Sequence, residues 1–312
     1  MQDKQDDSQN EFPDIHRPHD KLFKLVFREK EHLADFMRNH LPLEILDVLN
    51  MDTLEILPVT FLEEEFSENY TDILAHVQFQ EDTLGVYFLF EHKSDQDDWA
   101  VWQLLNYMVR QWKKDLNKKK ELRPIIPVLF RHGETAWEYR PFSSLFQKTP
   151  EIFLEFIPNF RYILHDISDP DREELKGGTV VRLAQLLMRA ASSAEPERIF
   201  PEILETMRLL GGLDSGMRWL EISLRYLLAA TDIRYEFIIS EFKERKFSFG
   251  EGLIMSTMEK LLEQGREQGI EQGIEQAKLE DARRMLEKGL SLDDVLEITG
   301  LSRERLAEAR LI

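Results

Sequence analysis

Residues 70–94 read YTDILAHVQFQEDTLGVYFLFEHKS, two runs of strand-forming residues on either side of a short polar break. We expect the two runs to pair antiparallel around a tight turn at Glu81 and Asp82. That pairing brings four apolar pairs onto one face of the hairpin: Ile73–Phe90, Ala75–Phe88, Val77–Val86 and Phe79–Leu84. A wholly apolar face is what fixes the register of a half-buried sheet, so the pattern predicts this hairpin and this register.

The other face of the same hairpin carries charged residues at its end. In this register we expect Asp72 directly across from Glu91, and Lys93, two residues further on, on the same side. Directly opposed Cβ atoms are about 5 Å apart, and two carboxylates at that distance repel each other unless a positive charge lies between them. A divalent cation with oxygen ligands, Mg²⁺ or Mn²⁺, meets that need. The residues alone leave an ordinary ion pair at a polar strand end as the alternative.

The helix predicted over residues 99–116 carries Gln103, Tyr107, Arg110 and Lys114 at spacings of four, three and four. This spacing indicates a polar stripe along one helix face. Next to the acidic strand ends, Gln103 could hold a metal-bound water or a phosphate. An exposed helix residue without a chemical role is the alternative.

The remaining patterns place the hairpin in an α/β core. A helix is predicted from Asp20, its capping residue, to Leu41, followed by a strand in residues 54–64. After the hairpin and the helix over 99–116, the segment RPIIPVLFRHG (123–133) reads as a buried strand. Helices packed on a mixed sheet are the expected architecture, and beyond residue 171 the pattern is helical.

Composition restricts the classes of protein that fit. The 312-residue chain has no cysteine, which excludes disulfides and thiolate metal sites. It has no run of about eighteen apolar residues, so we expect a cytoplasmic protein without a membrane partner. The net charge of −19 argues against a generally basic, DNA-coating surface, although residues 113–123 form a local basic run.

The C-terminal segment has its own pattern. From Glu263 a four-residue repeat places Gly265, Gly269 and Gly273 on one helical stripe. Each glycine costs a helix interior about 1 kcal/mol relative to alanine. Close packing on a second copy would offset that cost, so we expect a homodimer through this region, with a tolerant linker as the alternative. Residues 291–310 have the outline of a helix-turn-helix, but their acidic residues favour a packing or oligomerisation element.

Five segments in order carry a family resemblance: HDKLFKLVF, YTDILAHV, FEHKSD, QLLNYMVRQW and PIIPVLFRHG. Together they resemble the recombination-promoting nuclease family, also described as YhgA-like transposases, which is assigned to the PD-(D/E)xK superfamily. The likeness covers residues 18 to about 165, and the glycine repeat and helical tail are also typical. It implies a restriction-endonuclease-like core (helix, three strands, helix, strand) followed by an all-helical C-terminal region. The implied activity is that of a Mg²⁺-dependent bacterial DNA endonuclease linked to recombination or mobile DNA.

The resemblance also implies roles for individual residues. Asp72 matches the first acidic position, although Thr71 replaces the proline of the motif, and Glu91 with Lys93 matches the E-x-K element. The predicted metal ligands are Asp72 and Glu91, the predicted catalytic residues also include Lys93 and Gln103, and the predicted DNA contacts are Tyr107, Arg110 and Lys114. Asp20 and Lys24 belong to the family's opening segment without an assigned role. A DNA-binding or regulatory protein with a vestigial nuclease site is the alternative function.

The chain is therefore expected to comprise four parts: a disordered tail (1–17), a nuclease-like core (18–165), a helical region (166–260), and the glycine-repeat helix with a helical tail (261–312).

Overall fold

The computed structural model describes most of the chain, in these ranges: 17–58, 73–80, 85–94, 97–168, 175–247, 249, 251–309 and 311. The expected disordered tail, Asp72 and the turn at Glu81 and Asp82 lie outside them. The chain divides into two compact units, Met1–Phe249 and Gly250–Ile312.

The described part of the first unit begins with two helices, α1 (Pro18–Phe27) and α2 (Lys30–His40). The prediction of one continuous helix is wrong, because the backbone at Glu29 is extended (φ −83°, ψ 122°). That break lets each helix bury its own apolar stripe, including Phe23 in α1 and Phe36 in α2. Asp20 lies in the first turn of α1 and is not its cap, since the helix already begins at Pro18.

A five-stranded mixed sheet follows in the described residues. Its strands are β1 (Leu49–Leu57), β2 (Ile73–Phe79), β3 (Gly85–Lys93), β4 (Ile125–Arg131) and β5 (Ile163–Asp166). A short helix, α3 (Leu43–Leu46), precedes β1, and helix α4 (Ala100–Asn117) lies between β3 and β4 in the chain. The strand order is β1-β2-β3-β4-β5. The pairs β1–β2 and β2–β3 are antiparallel, whereas β3–β4 and β4–β5 are parallel. The mixed sheet is as predicted, and β5 is an addition to it.

The hairpin register is confirmed where the residues are described. The pairs Ile73–Phe90, Ala75–Phe88 and Val77–Val86 are direct partners across β2 and β3. Because β3 is also paired with β4 on its other edge, it is the central strand of the sheet.

Helices cover both faces of the sheet. On one face, α4 packs on the strands through a cluster that includes Leu74, Leu89, Leu104, Tyr107 and Leu129. On the opposite face, aromatic rings of α1 and α2 contact Phe90 and Phe130. The hairpin face predicted to be apolar is the one under α1 and α2.

Further helices complete the described part of the first unit: α5 (Thr179–Ala191), α6 (Phe200–Leu209), α7 (Gly216–Ala230) and α8 (Tyr235–Glu244). All four lie in the segments predicted to be helical. α1 packs against α5 and α7, which joins these helices to the sheet layer. Two short 3₁₀ helices, Phe142–Leu145 and Glu151–Phe156, lie between β4 and β5.

The second unit consists of α9 (Glu251–Glu287), α10 (Leu292–Thr299) and α11 (Arg303–Glu308) in its described part. Ala282, Val295 and Leu306 are buried together and join the three helices. The predicted cap is present, since the Ser291 side chain accepts a hydrogen bond from the Asp294 amide. Gly300 ends α10 in the left-handed region at φ 66°. No helix in the described ranges is long and apolar enough to cross a membrane.

Candidate active site

The charged end of β3 lies on the face covered by α4. Leu89 packs in the α4 cluster, and side chains alternate along a strand, so Glu91 and Lys93 point to the same face beyond the end of that cluster. The ammonium Nζ of Lys93 lies 3.5 Å from Oε1 of Glu91 and 3.0 Å from Oδ2 of Asp97. The structure thus brings the predicted Glu91 and Lys93 together and adds Asp97, which sequence reasoning missed. Its signal was the spacing of four residues after Lys93.

Burial strengthens the electrostatic interactions among Glu91, Lys93 and Asp97. Only 5% of Glu91 is exposed, and the side chains of Lys93 and Asp97 are 17% and 28% exposed. Charge interactions are stronger in such a partly water-excluded setting than on an open surface. The Lys93 ammonium, placed between two carboxylates, therefore offsets the repulsion that would otherwise raise the energy of the pair.

Asp72 lies one residue before the first described residue of β2. That first residue, Ile73, pairs directly with Phe90. The predicted position of Asp72 opposite Glu91 lies outside the described residues. The role of Asp72 stays a prediction.

The predicted stripe on α4 separates into different environments. The Oε1 atom of Gln103 is buried and has no hydrogen-bond partner among the described residues. Tyr107 is 1% exposed and belongs to the core under α4, so the interpretation of a continuous polar stripe is wrong. Its position, three residues after the buried Leu104, follows the inward face of the helix. Arg110 and Lys114 are partly exposed.

A second charged pair lies at the ends of the neighbouring parallel strands. Arg131 of β4 is the direct partner of Lys93 and also pairs with Asp166 of β5. Its Nη1 atom lies 3.4 Å from Oδ2 of Asp166 and donates to Oγ of Ser168 at 2.8 Å. Only 2% of Arg131 is exposed, so this ion pair fixes the strand ends from within the protein. Sequence reasoning missed the pair because it missed β5.

His92 occupies the opposite face of β3, as the strand alternation predicts. Its ring stacks between Phe23 of α1, at 5.0 Å, and His132 after β4, at 4.9 Å. Nδ1 of His92 lies 3.2 Å from Oδ1 of Asp20. This hydrogen bond lowers the pKa of Asp20, and the charge of nearby Lys24 lowers it further.

His132 is the most deeply buried member of this group of rings. Burial holds its pKa well below the ordinary value of 6.5, and the charges of His92, His19 and Arg131 act in the same direction. Its Nδ1 atom contacts Oγ of Ser192. His132 is therefore neutral near pH 7.

The ligand chemistry of the site suits a hard divalent cation. Glu91 supplies carboxylate oxygens, and Asp72 would add others; such donors favour Mg²⁺ or Mn²⁺ over softer metals. Within the described ranges, no group of three or more His, Cys, Asp or Glu residues is arranged to hold a metal ion. The fit therefore depends on Asp72.

Comparison with known proteins assigns two parts of the chain to known family models. A family model described as "Putative transposase, YhgA-like" matches residues 17–217. The chain belongs to the YhgA-like transposase family. A second model, the C-terminal HTH domain of the Rpn/YhgA-like nuclease family, matches residues 275–311 of this YhgA-like chain. The end of α9, α10 and α11 thus correspond to a helix-turn-helix domain, which corrects the preference for a packing or oligomerisation element over a helix-turn-helix in this segment.

Three curated relatives align with this YhgA-like chain over nearly their whole length. The recombination-promoting nuclease RpnA of Escherichia coli (strain K12) is 28% identical over 94% of this chain and 97% of its own. RpnC, also named a recombination-promoting nuclease, is 26% identical over 91% and 94%. The inactive recombination-promoting nuclease-like protein RpnE of the same strain is 26% identical over 91% and 95%. No solved structure matches the chain.

Proposed function

We propose that this YhgA-like protein is a metal-dependent DNA endonuclease of the PD-(D/E)xK type, acting in the cytoplasm in recombination or on mobile DNA. The observation that carries the proposal is the position of Lys93 between Glu91 and Asp97 at the end of β3, in the register that would oppose Asp72 to Glu91. The succession of β1, β2, β3, α4 and β4 after the first helices supports a restriction-endonuclease-like core. Two relatives named as nucleases add support from similarity.

Each residue at the site has a chemical task in phosphodiester hydrolysis. Asp72 and Glu91 would hold Mg²⁺ or Mn²⁺, which when bound lowers the pKa of water and offsets phosphate charge. Lys93 stabilises negative charge that develops on the phosphate, and Asp97 holds its ammonium in place. Gln103 of α4 is assigned a supporting role at the site; its Oε1 atom is buried and has no hydrogen-bond partner among the described residues.

DNA would approach along α4. Arg110 and Lys114 of this helix are partly exposed and contribute positive charge, although the chain carries a net charge of −19. Trp99, the cap of α4, and Trp102, in its first turn, are 63% and 51% exposed; their exposed ring surfaces are ones on which unpaired bases stack. Because phosphate contacts release counterions, we expect binding to weaken steeply with salt. The buried Tyr107 supports the helix from its inner side.

Plasmid cleavage tests the proposal. Full-length protein with Mg²⁺ is expected to nick or linearise supercoiled DNA, whereas Asp72→Asn and Glu91→Gln should lose at least about 100-fold in rate. Glu44→Gln, at an exposed position on α3, is the matched control and should cleave like the wild type. Equal cleavage by all four proteins would identify a contaminating nuclease and end the assignment.

A DNA-binding or regulatory protein with a vestigial site is the second candidate. The match of residues 275–311 to a helix-turn-helix domain favours it, as does a relative of similar coverage that is named inactive. In that case the wild type binds DNA without cleaving it at any Mg²⁺ or Mn²⁺ concentration. Arg303→Ala, at an exposed position of α11, then weakens binding, whereas Glu91→Gln leaves it unchanged.

We also propose a homodimer with the C-terminal region contributing. α9 continues through Gly265, Gly269 and Gly273, and a Cβ added at Gly273 would meet nothing within 4 Å. No contact within the described chain therefore requires a glycine at position 273. Close packing of a second copy of α9 would require one. Light scattering should report twice the 36.9 kDa chain mass, falling after truncation at Lys260. A full-length monomer at micromolar concentration would contradict the proposal.

A further inference from the structure

We infer that Asp20 is a positioning residue of the proposed nuclease site: through His92 it fixes the end of β3 from which Glu91 and Lys93 project. The inference rests on the proposed function for its catalytic part. It gives a role to a charged residue of α1 that lies on the far side of the sheet from Glu91 and Lys93.

The contact itself is specific. Nδ1–H of His92 donates to Oδ1 of Asp20 at 3.2 Å, across 72 positions of sequence. The His92 side chain is fully buried, whereas 37% of the Asp20 side chain is exposed. A buried imidazole that lost its acceptor would leave a desolvated N–H, which costs about 1–3 kcal/mol. Asp20 therefore holds His92 in one ring orientation.

Stacking adds to this restraint. The His92 ring lies nearly parallel to Phe23 of α1 and to His132, with interplanar angles of 18° and 22°. The backbone amide of His132 also donates to the carbonyl of Lys93 at 3.2 Å. The last residues of β3 are thus held by α1 through the side chain of His92 and by the end of β4 through the backbone.

Orientation passes from His92 to its neighbours through the strand. Glu91 and Lys93 flank His92 and project from the opposite face, so a rotation of the backbone at His92 would displace both side chains relative to Asp97. A misplacement of about 1 Å at a reacting centre can cost on the order of 100-fold in rate. The hydrogen bond between His92 and Asp20 on one face of the sheet therefore helps to orient the side chains of Glu91 and Lys93 on the other face.

α1 is itself anchored, which makes it a firm support. Nδ1 of His19, the residue before Asp20, lies 2.7 Å from the hydroxyl oxygen of Tyr226 in α7. The helix also packs against α5 and α7. The helical part of the first unit thereby supports the position of Asp20.

Two readouts on the full chain test the inference. Asp20→Ala is expected to lower kcat for plasmid cleavage about 10- to 100-fold, the usual range for a partner that orients a ligand, with KM for DNA within about twofold. Asp20→Asn keeps an acceptor oxygen and should stay within about threefold of the wild type. Glu31→Ala, at an exposed position of α2, is the control. In hydrogen exchange, the amides of His92, Lys93 and His132 should exchange about tenfold faster in Asp20→Ala, and that of Val77 should not change.

His92→Phe keeps the ring stack and removes the hydrogen-bond donor, so it should show the same decrease in kcat as Asp20→Ala. It therefore serves as a second test if Asp20→Ala folds poorly. The double variant should lose no more than either single one, since both remove the same hydrogen bond. Unchanged exchange at the end of β3, additive losses, or an Asp20→Asn variant as impaired as Asp20→Ala would each overturn the inference. If the wild type cleaves no DNA, the proposed function fails, and the exchange measurements still decide whether Asp20 orders the strand end.

Discussion

Lys93 Nζ lies 3.0 Å from Oδ2 of Asp97, closer than it lies to Glu91. Asp97 follows the strand and precedes α4, so it fixes the lysine head group from the connection between the two elements. The ion pair with Asp97 restricts the rotamers of the Lys93 side chain and so keeps its ammonium at the end of β3.

Asp97→Ala should therefore reduce DNA cleavage about tenfold, less than the loss in Glu91→Gln, because Lys93 keeps its charge but loses its closest restraint. Asp98→Ala is the matched control, since Asp98 is exposed and pairs with Arg140. Initial rates of plasmid nicking at saturating Mg²⁺ measure both. Equal rates for Asp97→Ala and the wild type would show that Lys93 needs no such restraint.

Arg131→Met should destabilise the first unit by about 3–5 kcal/mol, because it leaves Asp166 as a largely buried carboxylate without its cation. Arg182→Met breaks the exposed pair of Arg182 with Glu202 and should cost no more than about 1 kcal/mol. Urea unfolding compares the two. Similar losses in both variants would argue against a special role for the buried pair.

The wild type should lose stability as the pH falls below about 6.5. The pKa of His132 is depressed in the folded state, so at lower pH the unfolded chain binds more protons and its free energy falls relative to that of the folded chain. The stabilisation is complete above 6.5 and decreases on acidification. Asp20, whose pKa is lowered from 3.8, adds a loss of the same sign only at more acidic pH.

Thermal unfolding from pH 8 to pH 5 measures the His132 effect. His132→Asn keeps an amide donor for Ser192 and removes the titrating group, so its stability should depend less on pH than that of the wild type. A residual slope is expected because burial also lowers the pKa of His76. Identical slopes for both proteins would contradict the prediction.

Gly300→Ala should destabilise the second unit by about 1–2 kcal/mol, because Gly300 has φ 66° and a Cβ disfavours the left-handed region. Gly300→Asn should cost less, since asparagine tolerates that conformation. Steric conflict is a minor factor, as the nearest atom to an added Cβ is Lys278 Nζ at 3.9 Å. Circular dichroism melting of the full chain compares the variants, and equal costs for Ala and Asn would refute the conformational explanation.

Local patterns predicted the core of the fold. The pairing of Ile73 with Phe90 follows from apolar alternation, which specifies one register strongly when a face is buried. The break at Glu29 was not predictable in this way, because the residues on both sides share the same helical spacing. β5 is only four residues long, too short for its pattern to stand out from a loop.

At the site, too, local patterns predicted the contacts within one strand but not those between distant elements. Glu91 and Lys93 are two residues apart on one strand, so their shared face follows from the pleat. The Asp20–His92 contact joins residues 72 positions apart on different elements, and only the packing of α1 on the sheet reveals it. Tyr107 was misjudged because a hydroxyl on a ring says little about whether the ring is buried.

The parallel pairing of β3 with β4 has a consequence for biosynthesis. A nascent chain that ends after α4 contains the hairpin, but Arg131 is not there to neighbour Lys93, and the carbonyl of Lys93 has no His132 amide to accept from. At about 5–20 residues per second, the ribosome adds the missing strand within seconds of the hairpin. The charged end of β3 is thus completed only by residues synthesised about forty positions later, so a prematurely terminated chain would carry Glu91 and Lys93 without the support that orders them.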